Sequence, residues 1–322
     1  MYYPYFRGRQ NELLCLRELL EENKLSKKIV PILEPVKFSS TFFSTLRKFL
    51  ELNRTIIIVR NPCVGSFIKE YYEMKSKIDN PENNSKKEKL TSNLLSYKEV
   101  LMDKHLPSAY ILNENVVSNI YNKKIDASSI YLICKERGDC NYFRDHGREL
   151  VSKGTFVPPY EDFIDEVEGD LILLENCYSK ARRNVDYLEH TDDYFSKNHL
   201  VFSRRGYQGF SDYSIVGDEY EESGFAPLAI AIHIIYFDEW KELRVHHFVS
   251  DSNENITDPA RKFQEAMEKL IKWQEVHNIP MTKGLDSLIK CYYNGKFPGL
   301  GVIKKYSIMH HMELMSSYFR DN

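Results

Sequence analysis

The feature that most constrains this chain is a series of short apolar runs that all stop on polar or turn residues. YYPYF stops at RGRQ, IVPIL at EPVK, TIIIV at RNP, SAYIL at NEN, SIYLIC at KERGD, TFVPP at YED and HLVFS at RRG; LAIAIHIIYF is the last of them. Runs this short and this uniformly apolar fit strands covered on both faces. Between them the period changes to that of helices. Leu13, Leu16 and Leu20 form one apolar stripe, and Phe42, Phe43, Leu46, Phe49 and Leu50 form another. Short strands alternating with helices predict right-handed crossovers and a parallel sheet. Eight runs are the number that closes such a sheet, so the expected fold is α/β, a TIM-barrel-like parallel (β/α)8 barrel.

The last run behaves differently. LAIAIHIIYF is joined through Asp238, Glu239 and Trp240 to KELRVHHFVSD, and so short a link predicts an appended antiparallel β-hairpin. Helices follow it: Asp258 and Pro259 make an N-cap and first-turn pair, and Phe263, Met267, Leu270 and Ile271 give the next helix a buried face. The expected organisation is a barrel domain over residues 1–255 and a C-terminal helical extension over residues 256–322 packed on it. The third crossover is overlong, and its polar stretch DNPENNSKKEK, residues 79–89, reads as a solvated surface excursion. Between Glu161 and Asn198 the pattern is ambiguous, with DLILLEN readable as strand or helix and YSKARRNVDYLEH as helix.

Composition excludes several function classes. Of 322 residues, 44 are Lys or Arg and 47 are Asp or Glu, a net charge of -3 that gives no general attraction to nucleic acid or acidic membrane. The six cysteines are scattered without C-x-x-C spacing, which argues against a disulfide framework or a structural zinc site. MYYPYFRGRQ has no signal-peptide core and the longest apolar run is about half a bilayer crossing. A cytoplasmic protein that does not enter the membrane is expected.

In a parallel α/β barrel the strand C-termini converge on one mouth, so polar residues just past the runs become neighbours. Those positions hold Arg7 and Arg9, Glu34, Arg60 and Asn61, Asn113, Glu136, and Arg204. Rim salt bridges and helix caps would use the same residue types. The mixture of carboxylates, amides and arginines nevertheless suits an anionic substrate, a phosphate ester or nucleotide among them, with a carboxylate as general base. SRRGYQGFSDYSIVGDEY, with three glycines, reads as an irregular loop at a strand end and contributes Asp212 and Tyr213. It lacks the G-x-G-x-x-G fingerprint of phosphate loops. In HHFVSD, His246 and His247 point to opposite faces, and Asp251 follows. MHHMEL is not H-E-x-x-H; a metal set of His247, Asp251 and His310 is less favoured than hydrogen-bonded core histidines, and no metal or cofactor is assigned. Glu34, Asp212 and His247 are the candidate catalytic residues. Arg7, Arg9, Arg60, Asn61, Asn113, Glu136, Arg204, Tyr213 and Asp251 are the candidate binding residues.

YPYFRGRQNELLCLREL, ILEPVK, RNPCVGSF, GFSDYS, HHFVSD, FPGLG and MHHMEL together resemble an uncharacterised bacterial family of mobile elements and prophages akin to the phage "beta protein" family. The resemblance implies a role in conflict with phages, anti-phage defence or a related one, and carries no activity or catalytic residues with it. Two readings follow. One is a barrel enzyme, a hydrolase or phosphoester-type activity on a phosphorylated or other anionic substrate. The other is a non-catalytic sensor or adaptor that binds a phage component or a neighbouring gene product. Tyr306, Ile308, Met312 and Met315 are candidates either to cover the barrel or to form a homodimer through the C-terminal helices.

Overall fold

Eight short strands pair in parallel in the order β1-β2-β3-β4-β5-β6-β7-β9. They are β1 (Tyr5–Phe6), β2 (Ile32–Leu33), β3 (Ile57–Val59), β4 (Ser108–Ile111), β5 (Ile130–Ile133), β6 (Gly154–Val157), β7 (Leu171–Glu175) and β9 (Gly209–Asp212). The last stave returns to the first through a parallel bridge between Tyr2 and Phe210. There Tyr3 N donates to Phe210 O at 2.8 Å and Phe210 N to Met1 O at 3.1 Å. The result is a TIM-barrel-like α/β barrel, as the alternating runs predict. This computed structural model describes residues 1–79, 84–103, 105–122, 124–147, 151–160, 167, 169–222 and 226–321.

Helices connect the first six staves. They include α1 (Gln10–Glu21), α2 (Ser40–Glu51), α3 (Phe67–Asp79), α4 (Asn84–Leu101), α5 (Glu114–Tyr121) and α6 (Arg137–Gly147). Ser39 caps α2 by accepting from Phe42 N, and Asn113 caps α5 by accepting from Val116 N. Of the expected excursion at 79–89, residues 80–83 lie outside the described residues and Asn84 opens α4. Residues 161–166 and 168 of the ambiguous stretch also lie outside them, while DLILLEN is the strand β7.

Which side chains face the lumen follows from the register. Partners in a parallel ladder point the same way, and Tyr5 pairs with Ile32, Ile32 with Ile57, Val59 with Ala109, Ala109 with Tyr131, and Tyr131 with Gly154. This face is the inner one, because Tyr3 beside β1 meets Tyr131 of β5 and Phe156 of β6, staves on the opposite wall. Their ring centroids lie 6.4 and 5.4 Å from that of Tyr3. The three rings plug the lumen. The other face carries Tyr2, Phe6, Leu33, Ile58 and Phe210, all buried.

Two staves differ from the expectation. HLVFS is not a strand: Ser196 Oγ accepts from Asn198 N at 3.0 Å and starts the short helix α7 (Asn198–Val201). The eighth stave is instead GFSD, taken from the segment read as a loop. LAIAIHIIYF leaves the barrel altogether. As β10 (Ala231–Phe237) it forms the expected hairpin with β11 (Leu243–Val249), and β8 (Asp192–Ser196) joins β11 to make a separate antiparallel sheet of three strands. A run alternating along seven residues is longer than any barrel stave and suits a sheet with two unlike faces.

The chain separates into two units: residues 1–13, 29–175 and 202–212 in the first, which holds the barrel, and residues 14–28, 176–201 and 213–322 in the second. In the second unit Ile232, Ile234 and Phe248 of the antiparallel sheet pack on Phe263, Met267 and Leu270 of α8 (Pro259–His277). Leu285 and Leu288 of α9 (Lys283–Tyr293) and Ile303 of α10 (Leu300–Asp321) complete this core. Asp258 caps α8 as expected, accepting from Arg261 N, with Pro259 at its first turn.

Gly209 shows why the eighth stave has little strand character in its sequence. A Cβ there would lie 2.6 Å from the Tyr3 ring and 2.8 Å from Met1 O, so the stave must start on a glycine for Tyr3 to enter the lumen. Gly209→Ala is expected to destabilise the protein by about 1–3 kcal/mol through overpacking. Gly138→Ala, where nothing lies within 4 Å, is expected to be neutral or mildly stabilising. Urea unfolding of the two variants checks the contrast.

Candidate functional site

The inward ladder continues past the strand ends as Arg7 after Tyr5, Glu34 after Ile32, and Lys135 after Ile133. These three side chains meet, although β1 and β2 stand opposite β5. Glu34 is fully buried, Arg7 is 4% exposed and Lys135 is 25% exposed at the C-terminal mouth. Glu34 Oε2 accepts from the Tyr5 hydroxyl at 2.7 Å, is bonded by Arg7 Nη1, and lies 3.5 Å from Lys135 Nζ. Glu34 Oε1 accepts from Cys63 N at 2.8 Å. The Tyr5 ring underlies both cations, with Arg7 Cζ 5.2 Å and Lys135 Nζ 5.1 Å from its centroid.

The loops after β1, β2 and β3 hold this cluster in place. Glu12 bends back to accept from Arg7 N at 2.8 Å, and Gly8, at φ +62, makes the turn between them. Gly65, at φ +74, lies against Val36, where a Cβ would be 2.4 Å from the carbonyl oxygen. Ser66 N donates to Val36 O at 2.7 Å, which holds the loop that presents Cys63 N to Glu34. Two prolines flanking Ile32, Leu33 and Glu34 fix the backbone where it leaves the barrel.

Electrostatics gives each group a definite state. Burial presses the Glu34 pKa up, but Lys135, Arg7, the Cys63 N–H and the Tyr5 hydroxyl outweigh it and leave it below the ordinary carboxylate range. Burial lowers the Lys135 pKa, Glu34 opposes that, and Arg7 reinforces it, with a net lowering. Burial and then Glu34 push the Cys63 thiol up, so Cys63 is a neutral thiol here. On the rim, burial, Glu136 and Glu114 raise the Asp139 pKa.

Glu34 and Arg7 are thus brought together as expected, and most of the other candidates are not in this cluster. Arg60 follows Ile58 on the outer face and turns back along the wall to donate to Ser108 Oγ at 2.9 Å. Asp212 follows Phe210 on that same face and accepts from the Tyr2 hydroxyl at 2.9 Å, while the Tyr2 and Phe210 rings stack at 4.8 Å. Asn61 pairs both polar atoms with the backbone of Ile111, at 2.8 and 2.9 Å, as a substitute strand residue. Asn113 is the α5 cap, Glu136 and Arg204 are exposed, and Arg9 is half-buried with its N–H directed to Glu12. Tyr5, the Cys63 N–H, Lys135 and Asp139 were missed in the sequence. Lys135 was legible in principle, as the inward position two residues past Ile133.

His247, Tyr213 and Asp251 belong to the second unit. Tyr213 is buried at the start of a 3-10 turn, and Asp251 is exposed and paired with Lys269 at 2.6 Å. His247 is buried, with Nε2 3.2 Å from Asp193 Oδ2 and Nδ1 2.7 Å from His233 Nδ1. Tyr187 covers it at a centroid distance of 4.3 Å and shares a 2.6 Å hydroxyl contact with Tyr178. His310 accepts from Thr282 Oγ1 at 2.8 Å through Nδ1 and donates from Nε2 to Ile235 O at 2.8 Å, which fixes its tautomer. His247, Asp251 and His310 therefore do not share a metal, and among the described residues no group of three or more His, Cys, Asp or Glu could hold one. Ile308, Met312 and Met315 are buried within this single chain, and Tyr306 is half-buried.

No helix among the described residues is long and apolar enough to cross a membrane. Searches of family models and of curated proteins gave no match to the chain.

Two pH responses of opposite origin follow. Five histidines of the second unit, His199, His233, His247, His310 and His311, are held neutral chiefly by burial, His310 down at about 4 and His311 at about 3. The unfolded chain takes up their protons first on acidification. Stability is therefore fully present above about pH 6.5 and is expected to fall as the pH drops below it, by about 1.4 kcal/mol per pH unit from His310 until its folded value of about 4 is reached. His310→Gln should flatten that slope by one proton in urea titrations. In the barrel, the stability that Glu34 contributes is present above its unfolded pKa and lost as the pH falls through its lowered folded value. Glu34→Ala, which strands Arg7 and Lys135 together, is expected to cost about 3–5 kcal/mol in the same assay.

Proposed function

We propose that the mouth of this barrel binds a small anion, a phosphate ester or nucleotide being the leading class, and that it does so in the setting of phage or mobile-element conflict. One observation carries the reading: two cations, Arg7 and Lys135, are held at the C-terminal end of the lumen by one carboxylate. Burial at that place weakens screening by solvent, so an oxyanion at the mouth would feel both cationic groups strongly. A guanidinium and an ammonium supply fork and point contacts to an oxyanion. The setting rests on the resemblance of the sequence segments alone.

Within that reading Glu34 organises the cations and does not serve as a general base. Its oxygens already accept from Tyr5, Arg7 and Cys63, and its pKa is lowered, which makes it a poor proton acceptor. Asp212, the other carboxylate expected to act as a base, faces away from the lumen. This favours a second reading beside phosphoester hydrolysis, that of an anion sensor without hydrolytic chemistry which reports to a phage component or a neighbouring gene product.

The test is a thermal-shift and calorimetric survey of inorganic phosphate, sugar phosphates and nucleotides against the wild-type protein and Arg7→Met. Stabilisation by at least one anion that is weakened about tenfold or more in the variant, the loss of one charge-assisted contact, is the expected result. Absence of binding across the survey sinks the proposal. Phosphate release from the bound ester separates the hydrolase from the sensor.

A further inference from the structure

We propose that Lys135 is an amine nucleophile that captures the carbonyl carbon of a small anionic aldehyde or ketone as an iminium. This rests on the anion-binding reading of the mouth and adds to it a substrate class and a covalent step.

The geometry of the lumen supports this in three ways. Lys135 is the inward residue at the end of β5 and the most exposed member of the cluster, 25% against 4% and 0% for Arg7 and Glu34, so a ligand entering the mouth reaches its ammonium before the others. Its Nζ stands over the Tyr5 ring at 5.1 Å and 3.5 Å from Glu34 Oε2. Those contacts hold the nitrogen at the mouth through a longer bond to Glu34 than the ones that Tyr5 and Cys63 N make to the same carboxylate. Burial and the neighbouring Arg7 both oppose its positive charge and outweigh the attraction of Glu34, so the free amine is accessible nearer neutrality than at an exposed lysine. Arg7, held by Glu34, remains charged and draws the anionic group of the ligand.

The chemistry balances without a cofactor. The free Lys135 amine adds through its lone pair to the carbonyl carbon, the C=O electron pair moves to oxygen, and the proton that the nitrogen gives up passes to that oxygen. The carbinolamine then loses that oxygen as water after a second protonation, leaving the C=N iminium. Hydride from borohydride reduces the iminium to a secondary amine, so the protein gains the mass of the carbonyl compound less one oxygen atom.

The experiment treats the full-length protein with pyruvate or with glyoxylate in the presence of sodium borohydride and maps adducts by peptide mass spectrometry. The expected result is a saturable adduct at Lys135, formed faster than at the exposed Lys69 and Lys272, because the anion-binding mouth concentrates the carbonyl compound beside its amine. The adduct should disappear in Lys135→Arg. Competitive acetylation of the wild-type protein across pH gives a second readout that does not depend on the variant folding. Lys135 should lose its proton below the ordinary lysine range. No adduct at Lys135 with either compound, labelling no faster than at Lys69 and Lys272, or titration of Lys135 within the ordinary lysine range would overturn the proposal. Anion binding in the thermal-shift survey without a borohydride adduct would remove the nucleophile and leave the anion site. An adduct without anion binding would do the reverse.

Discussion

A carboxylate fully removed from water needs more than one partner, and the way Glu34 obtains its partners governs the rest of the barrel. The idealised desolvation cost is far larger than any single ion pair returns. Arg7 and Tyr5 come from the neighbouring stave, the Cys63 N–H from the loop after the next one, and Lys135 from across the lumen. Only a closed sheet brings all four to one point. Closure depends in turn on Tyr2 and Tyr3 bridging to Phe210, so a buried charge at one end and an aromatic plug at the other rely on the same seam.

Much of the barrel was legible in the sequence because seven of the staves are apolar on both faces, a pattern that parallel strands need and that few other elements share. Six of them were placed correctly, and β7 was left ambiguous as DLILLEN. The eighth stave was hidden by its own packing: Gly209 leaves space for the Tyr3 ring, and GFSD consequently carries turn residues in place of strand formers. HLVFS and LAIAIHIIYF drew the count of eight toward the wrong segments because hydrophobicity alone does not tell a helix turn or a two-faced antiparallel strand from a barrel stave.

The site was legible in position but not in direction. Residues just past the strands do gather at the mouth, yet alternation sends every second one outward, and a register is needed to say which. Glu34 and Asp212 show the difference. Both are carboxylates at the end of an apolar stave. Glu34 falls in step with Tyr5 and meets cations in the lumen, whereas Asp212 falls in step with Phe210 and meets a tyrosine hydroxyl on the outer wall. Arg60 is misplaced in the same way as Asp212. With register in hand, the same count that removes Asp212 and Arg60 finds Lys135.

The parity that sorts these residues also bears on why a charged cluster is tolerated where a hydrophobic one would fill the space more cheaply. Replacing a buried ion pair by apolar side chains is often neutral or stabilising, so stability alone gives no reason to keep Arg7, Glu34 and Lys135 in the lumen. Much of the rest of the inner face is apolar or aromatic, with Ile32, Ile57, Val59, Ala109, Tyr131, Ile133 and Phe156 turned toward it and Ser211 bonded to the Tyr3 carbonyl, so the chain readily supplies such residues. At the strand ends, where Arg7, Glu34 and Lys135 meet, the most exposed member is the amine and the buried member is the carboxylate. That order, with the carboxylate deepest and the amine outermost, keeps the costly buried charge fully partnered and leaves the amine as the member that solvent reaches.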